Sequence, residues 1–354
     1  MNKSHLKKHK SHKPSTDFQV RDGIHSPDVI RISPDEAHIV DFGGIYSSSL
    51  KERKAIGKAF KEAFMGPGYL ILKNHQFPIS VINRAHTAMR EFFSLPLDEK
   101  MRCHYLDWPN HRGYVPIKGI NADHSLKGGD ISEAIEMAHD LTNDDPDHLA
   151  GIRFYGPNNW PDKPESFRWA LGTYFDTQLE LGFNILKAFE YALETEEGFF
   201  TSKYTKPLSR TRVCYYPPQS KKTFDISHIG IGAHTDYECF TTVWQDSEGL
   251  QMLGDDGCWR LVPSIPGTFA VNLGDLMQMW TNDMFKSTLH RVINTNNHER
   301  YSLVQFFGVD YHVVVESLKT CVSERNPSKY QPIKAGTHSE NMVSATYHYD
   351  DNQS

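Results

Sequence analysis

A histidine and an aspartate stand two positions apart in the segment IGAHTDYECFTTVWQD, residues 231–246. The segment is predicted to be a strand, and residues two apart in a strand point to the same face of the sheet. The side chains of His234 and Asp236 are therefore expected to project together. If that face is the interior of the fold, a buried carboxylate beside an imidazole needs a partner or a metal ion.

A third candidate ligand is His290, in the predicted strand of the segment STLHRVIN. Two imidazoles and one carboxylate on one face of an octahedral ion form the facial triad of non-haem Fe(II) oxygenases. The triad leaves three positions open, so dioxygen and an organic molecule can bind the same ion. Each residue alone has a plainer interpretation, because histidine–X–aspartate pairs are common by chance and a single histidine is usually a hydrogen-bonded core or surface residue.

Arg300 and Ser302 lie two positions apart in the next predicted strand, about ten residues after His290. Arginine presents a fork of donors that grips a carboxylate through two hydrogen bonds, and the serine hydroxyl adds another donor. A short dicarboxylic acid can thus chelate a metal at one end and be held by this pair at the other. Tyr216, in the segment CYYPP, is a candidate for a further hydrogen bond. The order and spacing of these residues together carry the hypothesis.

The elements that must position these residues change in character along the chain. The predicted helices share apolar residues at helical spacing and cover residues 49–68, 79–96 and 168–193. Residues 103–165 are rich in Gly, Pro, Asn and Asp and are predicted to be irregular. From about residue 209 onward short strands follow one another, including the segment LMQMW at 276–280, which is typical of a β-sandwich or barrel.

The sequence resembles the Fe(II)- and 2-oxoglutarate-dependent dioxygenases of the isopenicillin N synthase-like superfamily over nearly its whole length. HIVDFGGI, GPGYLILKNHQFP and FFSLPLDEKMR are similar to the N-terminal region of that family, and GIGAHTDYECFTTVWQD, STLHRVIN and RYSLVQFF are similar to its catalytic core. AGTHSENMVSATYHY resembles the closing helix and tail. The sequence departs from the family habit at His75-Gln76, where relatives often have His-Gly, and this difference concerns a turn.

The resemblance implies a mainly β protein with flanking α-helices, in which an N-terminal helical and strand region precedes a double-stranded β-helix, or jelly-roll, core. It implies an enzyme that couples oxidative decarboxylation of 2-oxoglutarate to hydroxylation, or a related oxidation, of a small molecule with Fe(II) and dioxygen. The implied iron ligands, which are also the catalytic residues, are His234, Asp236 and His290. Arg300 and Ser302 are implied to hold the distal carboxylate of 2-oxoglutarate, with Tyr216 as an auxiliary contact.

The expected organisation has five regions. They are a disordered basic tail (1–33), an N-terminal dioxygenase region (34–150), a linking segment with a long helix (151–208), the jelly-roll core (209–318) and a C-terminal segment that packs on the core (319–354).

Composition narrows the classes of partner and location. The formal charge of −6 argues against nucleic acid, because phosphate binding usually requires a basic surface. No apolar run approaches the ~20 residues that span a bilayer, so a soluble protein is expected. The five cysteines are far apart and form no CxxC motif, which favours reduced thiols in the cytoplasm over a disulfide framework. The oligomeric state, monomer or dimer, is left open.

The prime substrate is also left open. Tyr114, Phe306 and Tyr347 are candidates for lining its pocket, although plain packing is an equal interpretation of each. Arg212 is a candidate contact for an acidic substrate or, alternatively, a surface or ion-pair residue. Two other functions stay in view: an oxidase or ethylene-forming enzyme of the same fold, and a non-catalytic jelly-roll binding protein.

Overall fold

Two β-sheets form the centre of the computed structural model, which describes residues 28–123, 129–219, 229–294 and 297–347. With strands numbered in chain order, the large sheet runs Ile39–Asp41 (β2), Tyr69–Lys73 (β3), Phe269–Leu273 (β11), Phe240–Gln245 (β8), Arg300–Phe307 (β13), Arg210–Tyr216 (β6), Glu133–Ala138 (β5) and Gly113–Val115 (β4). The small sheet runs Val29–Arg31 (β1), Trp259–Leu261 (β10), Leu250–Leu253 (β9), His290–Val292 (β12) and Ile231–His234 (β7). A separate ribbon pairs Val314–Val315 (β14) with Ile333–Lys334 (β15).

Helices cover the sheets. The α-helices are Leu50–Met65 (α1), Ile79–Phe93 (α2), Leu97–Met101 (α3), Pro146–Leu149 (α4), Ser166–Leu193 (α5), Asp275–Trp280 (α6) and Ala335–Tyr347 (α7). Short 3-10 helices are Phe42–Tyr46, Tyr105–Asp107, Thr201–Lys203 and Lys319–Cys321. The three predicted helices are confirmed as α1, α2 and α5. Within the described residues, no helix combines the length and the apolar character needed to cross a membrane.

The long helix α5 lies close against the large sheet. A Cβ atom added to Gly182 would lie 2.1 Å from the ring of Phe307, so glycine permits this approach. The buried Thr242 of β8 donates a hydrogen bond to Gln178 of α5 at 3.1 Å. Helix α5 therefore fixes the outer face of the sheet whose inner face contributes to a cavity.

The alternation of strand β13 explains how one strand serves both a core and a cavity. Tyr301, Leu303 and Phe307 belong to the large apolar core, which also holds the helices. Arg300 and Ser302 are also buried but point to the opposite face. Because both faces are covered, polar residues on the inner face must find partners inside the protein or in a ligand.

The segment 231–246 is two strands, not the single strand predicted. β7 ends at His234 and belongs to the small sheet, whereas β8 begins at Phe240 and belongs to the large sheet. Asp236 lies in the connection between them, and its carbonyl accepts a hydrogen bond from the amide of Asp275 at 2.9 Å. No Gly or Pro marks the turn, so the break follows from these tertiary contacts.

Two further expectations about secondary structure are wrong. β5 crosses the region predicted to be irregular, and its glutamates conceal it, because Glu133 and Glu136 are buried against Lys100 and Arg212 respectively. The segment LMQMW lies in helix α6 rather than a strand. Its buried residues Leu276, Met277 and Trp280 follow helical spacing.

The two ends of the chain differ from each other. Most of the predicted tail, residues 1–27, lies outside the described residues. Disorder is the wrong prediction for Val29–Arg31, which pairs in parallel with Trp259–Leu261 at the edge of the small sheet. The closing helix expected near the C-terminus is α7, whose residue Gly336 packs against the ring of Tyr311.

Candidate active site

A cavity opens between the two sheets, and the space within it together with its opening to solvent is about 900 Å³. The small sheet contributes His234 and His290, and the large sheet contributes Tyr216, Arg300 and Ser302. Asp236, from the connection between the sheets, completes this group. All six predicted site residues therefore meet in one space, although they come from four separate segments of the chain.

The two imidazoles face each other on neighbouring strands. His290 and His234 are partners in the antiparallel register of β12 and β7, with ring centroids 4.3 Å apart. The Nδ1 atom of each ring lies near a backbone carbonyl two residues earlier, that of Gly232 at 2.8 Å and that of Thr288 at 2.9 Å. A carbonyl can only accept, so Nδ1 carries the proton and the Nε2 lone pair faces the cavity.

The carboxylate of Asp236 is oriented by its own partners. Oδ2 accepts hydrogen bonds from the hydroxyl of Thr241 at 2.5 Å and the amide of Asn272 at 2.7 Å. Oδ1 lies 3.5 Å from Nε2 of His290 and 3.8 Å from Nε2 of His234. One donor atom from each of the three residues lies within 4.8 Å of the others, an arrangement that suits a divalent transition metal.

The electrostatics of this cluster favour the protonation states of His234 and Asp236 that bind a cation. Burial, reinforced by the neighbouring His290, lowers the pKa of His234 to about 4. Burial opposes ionisation of Asp236, but the two imidazoles and the hydrogen bonds from Thr241 and Asn272 outweigh it and lower the pKa of that carboxyl. A neutral imidazole and an ionised carboxylate are the forms that bind metal.

A buried guanidinium also lines the cavity. Arg300 is fully buried, and it donates from Nε to the carbonyl of Ser247 at 3.1 Å and from Nη2 to Gln245 at 2.8 Å. Its Nη1 has no hydrogen-bond partner among the described residues. A Cβ on Gly249 would lie 2.5 Å from its Nε, so glycine makes room for the side chain. A buried donor of this kind fits the carboxylate of a ligand.

Tyr216 and Ser302 flank this arginine. Tyr216 is the cross-strand partner of Arg300, and its ring centroid lies 4.6 Å from the guanidinium carbon. The hydroxyls of Tyr216 and Ser302 are 3.4 Å apart. Both side chains line the cavity, and their hydroxyls can donate hydrogen bonds to a ligand.

An ion-pair network that sequence reasoning missed forms another part of the wall. Glu136 of β5 pairs with Arg212 and with Arg210, the latter at 3.7 Å. Arg210 also approaches Oε1 of Glu238 at 3.2 Å. Burial raises the pKa of Glu238, and Arg210 opposes this effect. Arg212 is thus an ion-pair residue on the cavity wall, as one of its two interpretations held.

The predicted lining residues have different outcomes. Phe306 lines the cavity. Tyr114 does not, because it is buried in the core and donates a hydrogen bond to Glu133 at 2.7 Å. The side chain of Tyr347 lies outside the described part of the structure.

Comparisons with known proteins identify the class. Residues 207–309 match the 2OG-Fe(II) oxygenase superfamily, and residues 38–163 match the N-terminal region described as non-haem dioxygenase in morphine synthesis. The chain is 31% identical to the 2-oxoglutarate-Fe(II) type oxidoreductase hxnY of Emericella nidulans, covering 89% of this chain and 90% of that protein. It is 31% identical to a homoarginine-6-hydroxylase of Glycine max, over 85% and 91% of the two chains.

A comparison with a solved structure supports the same class. A full-length protein of Neurospora crassa, in complex with alpha-KG and 5-formyluracil, is 25% identical, covers 87% of this chain and 96% of its own, and superposes with a TM-score of 0.75. The chain belongs to the 2OG-Fe(II) oxygenase superfamily. It is an oxidoreductase with the jelly-roll fold that uses Fe(II), 2-oxoglutarate and dioxygen, and it couples decarboxylation of 2-oxoglutarate to oxidation of a substrate. The relatives' names do not favour the alternative of a co-substrate-independent oxidase.

Proposed function

We propose that the cavity between the sheets is the active site of a 2-oxoglutarate-dependent hydroxylase of a small molecule. In this proposal His234, Asp236 and His290 hold Fe(II). Arg300 and Ser302 hold the distal carboxylate of 2-oxoglutarate, with the Tyr216 hydroxyl as an auxiliary contact. The observation that carries the proposal is Nη1 of the buried Arg300, which has no hydrogen-bond partner in the described part of the chain and whose side chain shares one cavity with a three-donor metal cluster.

Fe(II) with 2-oxoglutarate and dioxygen supplies the oxidising chemistry when bound, and the protein supplies position. The carbonyls of Gly232 and Thr288 hold both imidazoles with Nε2 toward the ion. Gln245 and Ser247 hold the guanidinium of Arg300 in place, which leaves Nη1 for the carboxylate. Because these groups are oriented before ligands arrive, little reorganisation accompanies binding.

The remaining wall controls access of water. Val243, Leu250 and Val292 are buried and present apolar surface to the cavity, so a bound substrate displaces water from the reacting centre. A concave, mainly apolar space with a few convergent polar groups is typical of a site for a small organic molecule. A solved relative is in complex with thymine, and an overall charge of −6 disfavours binding to the polyanionic backbone of nucleic acid. Five unpaired cysteines fit a cytoplasmic enzyme.

The test is anaerobic absorption spectroscopy. Fe(II) and then 2-oxoglutarate are added to the metal-free protein, and the visible metal-to-ligand charge-transfer band is recorded. We expect the band in the wild-type protein and its loss in Arg300→Ala at limiting 2-oxoglutarate. If iron binds without a band, the assignment of 2-oxoglutarate to this cavity fails. If iron does not bind, the metal cluster is misassigned.

A further inference from the structure

One carboxylate that lines the cavity has no use in the proposed function. Glu238 is 4% exposed and lines the cavity two residues after Asp236. Its Oε1 lies 3.2 Å from Nε of Arg210. Its Oε2 is buried and has no hydrogen-bond partner among the described residues. An unpartnered buried acceptor costs free energy, so a donor from a ligand is its natural complement.

Neighbouring carboxylates on the same wall differ from Glu238. Both oxygens of Glu136 are taken, one by Arg212 and the other by Arg210. Both oxygens of Asp130 accept backbone N–H groups, from Gly232 at 2.9 Å and from Ala122 at 3.2 Å. Among these three carboxylates, therefore, a missing hydrogen-bond partner is specific to Oε2 of Glu238 and is not shared by Glu136 or Asp130.

The arginines of the wall are committed to carboxylates. Arg210 lies between Glu136 and Glu238 and stacks over the ring of Phe306 at 4.8 Å, and Arg212 pairs with Glu136. Arg300 lies at the end of the cavity assigned to 2-oxoglutarate. An anionic substrate would have to compete with an existing glutamate for a cation. A substrate that donates a hydrogen bond instead offers Oε2 of Glu238 the partner that it lacks among the described residues.

We propose that the prime substrate presents an N–H donor to Oε2 of Glu238, and that Glu238 is a residue that determines substrate specificity. The substrate class is a small imide, amide or guanidine rather than an organic acid. The inference rests on the proposed function, since it assumes that the substrate occupies the cavity beside the iron. The apolar residues Val243, Leu250 and Val292 on the remaining wall fit the carbon skeleton of such a molecule.

The test compares matched ligands on the Fe(II)·2-oxoglutarate complex under anaerobic conditions. The probes are thymine beside 1,3-dimethylthymine, 2-pyrrolidinone beside its N-methyl form, homoarginine as the cationic source of N–H groups, and 4-methylbenzoate as an anion of similar size. Calorimetry gives the dissociation constants. We expect at least one N–H compound to bind about 10-fold or more tightly than its N-methylated partner or than the benzoate, because a buried acceptor left unpaired penalises the analogue.

Two variants locate the effect. In Glu238→Gln, Arg210 takes the amide oxygen and the NH₂ group turns toward the ligand, so affinity for the N–H compound should fall about 10-fold or more. Glu136→Gln makes the same chemical change where both oxygens are already engaged, and the fall should be clearly smaller. The proposal is overturned if no N–H compound binds better than its N-methylated form or the benzoate, or if Glu136→Gln has the larger effect.

The charge-transfer band separates this proposal from the function on which it rests. Loss of the band in the wild-type protein would refute the assignment of iron and 2-oxoglutarate. A normal band in wild type and in Glu238→Gln, with no preference for N–H compounds, would refute the role of Glu238 alone.

Discussion

The two sheets contribute to the cavity in different ways. The small sheet supplies two imidazoles, and main-chain carbonyls two residues earlier orient both of them. The large sheet supplies Arg300, which is held by the side chain of Gln245, by the main-chain carbonyl of Ser247 and by space beside Gly249. Main-chain carbonyls hold both imidazoles through Nδ1, whereas the guanidinium also depends on a side chain, that of Gln245. Substitutions around the cavity should therefore affect 2-oxoglutarate binding more readily than the direction of the imidazoles.

The largest effect is expected for the residue between the sheets. Asp236→Ala removes one metal ligand, and loss of a ligand should exceed the ~10–100-fold cost of losing an outer partner of a ligand. We expect Fe(II) affinity to fall by more than about 100-fold and turnover to disappear. Titration with Fe(II) and assay of succinate measure both. Asp255→Ala, an exposed carboxylate that pairs with Lys286, is the control, and equal losses in the two variants would refute the assignment.

The same conservative change on each sheet compares them directly. Arg300→Lys replaces a planar fork of donors by a point charge. The apparent dissociation constant for 2-oxoglutarate should therefore rise about 10–100-fold while Fe(II) binding persists. Arg291→Lys alters a buried arginine of the small sheet that lies over the ring of Trp259, away from the cavity. Arg291→Lys should lower the free energy of unfolding without changing the dissociation constant for 2-oxoglutarate. Similar constants in the two variants would remove the distinction between the sheets.

Adjacent threonines on β8 test the orientation of Asp236. Thr241 donates to Asp236, whereas Thr242 points the other way and donates to Gln178 of α5. Thr241→Val should weaken Fe(II) binding about 10-fold. Thr242→Val should leave that constant within about 2-fold and lower the melting temperature instead. A metal effect of equal size in both would mean that the hydrogen bond to Asp236 is unimportant.

The smallest effect concerns a histidine outside the cavity. Nε2 of His75 faces the carbonyl of Gly267 at 3.0 Å, and its Nδ1 accepts from the amide of Phe77 at 3.1 Å, so both nitrogens are used. Burial lowers the pKa of His75. As the pH falls below about 6.5 the unfolded chain takes up a proton before the folded one, and the free energy of unfolding drops by up to about 1.4 kcal/mol per pH unit.

Thermal unfolding at pH 7.5 and 5.5 measures this effect. The stability advantage of the wild-type protein over His75→Gln should shrink as the pH is lowered. An advantage that grows on acidification would contradict the sign of the pKa shift. This histidine, with no free lone pair, contrasts with His234 and His290, whose Nε2 atoms face the cavity.

The sequence predicted the residues of the cavity better than the geometry that unites them. Metal and carboxylate binding restrict the usable side chains so strongly that the order of His234, Asp236, His290 and Arg300 is informative by itself. The prediction that His234 and Asp236 share a strand is nevertheless wrong, because β7 ends at His234. Asp236 reaches the imidazoles since the chain crosses there from one sheet to the other.

The Glu136 and Glu238 wall could not be predicted in this way. A glutamate in a segment without clear alternation looks like a surface residue, and Glu136 is separated from its partner Arg212 by 76 positions. The role of Gly249 could not be predicted from the sequence either, because this glycine matters only through the side chain of Arg300 that packs beside it. Such residues acquire meaning only from tertiary contacts, which local propensity does not encode.

The place of β5 in the large sheet has a consequence for recombining this enzyme with its relatives. Glu136 lies in the segment 38–163, whereas Arg210 and Arg212 lie in the segment 207–309. A hybrid that joins the first segment of one relative to the second segment of another inherits half of an ion-pair network. Unless the donor also carries a carboxylate at the position of Glu136, two partly buried arginines on the cavity wall lose that counter-charge. The two segments should therefore be exchanged together, so that Glu136 and its arginine partners come from the same relative.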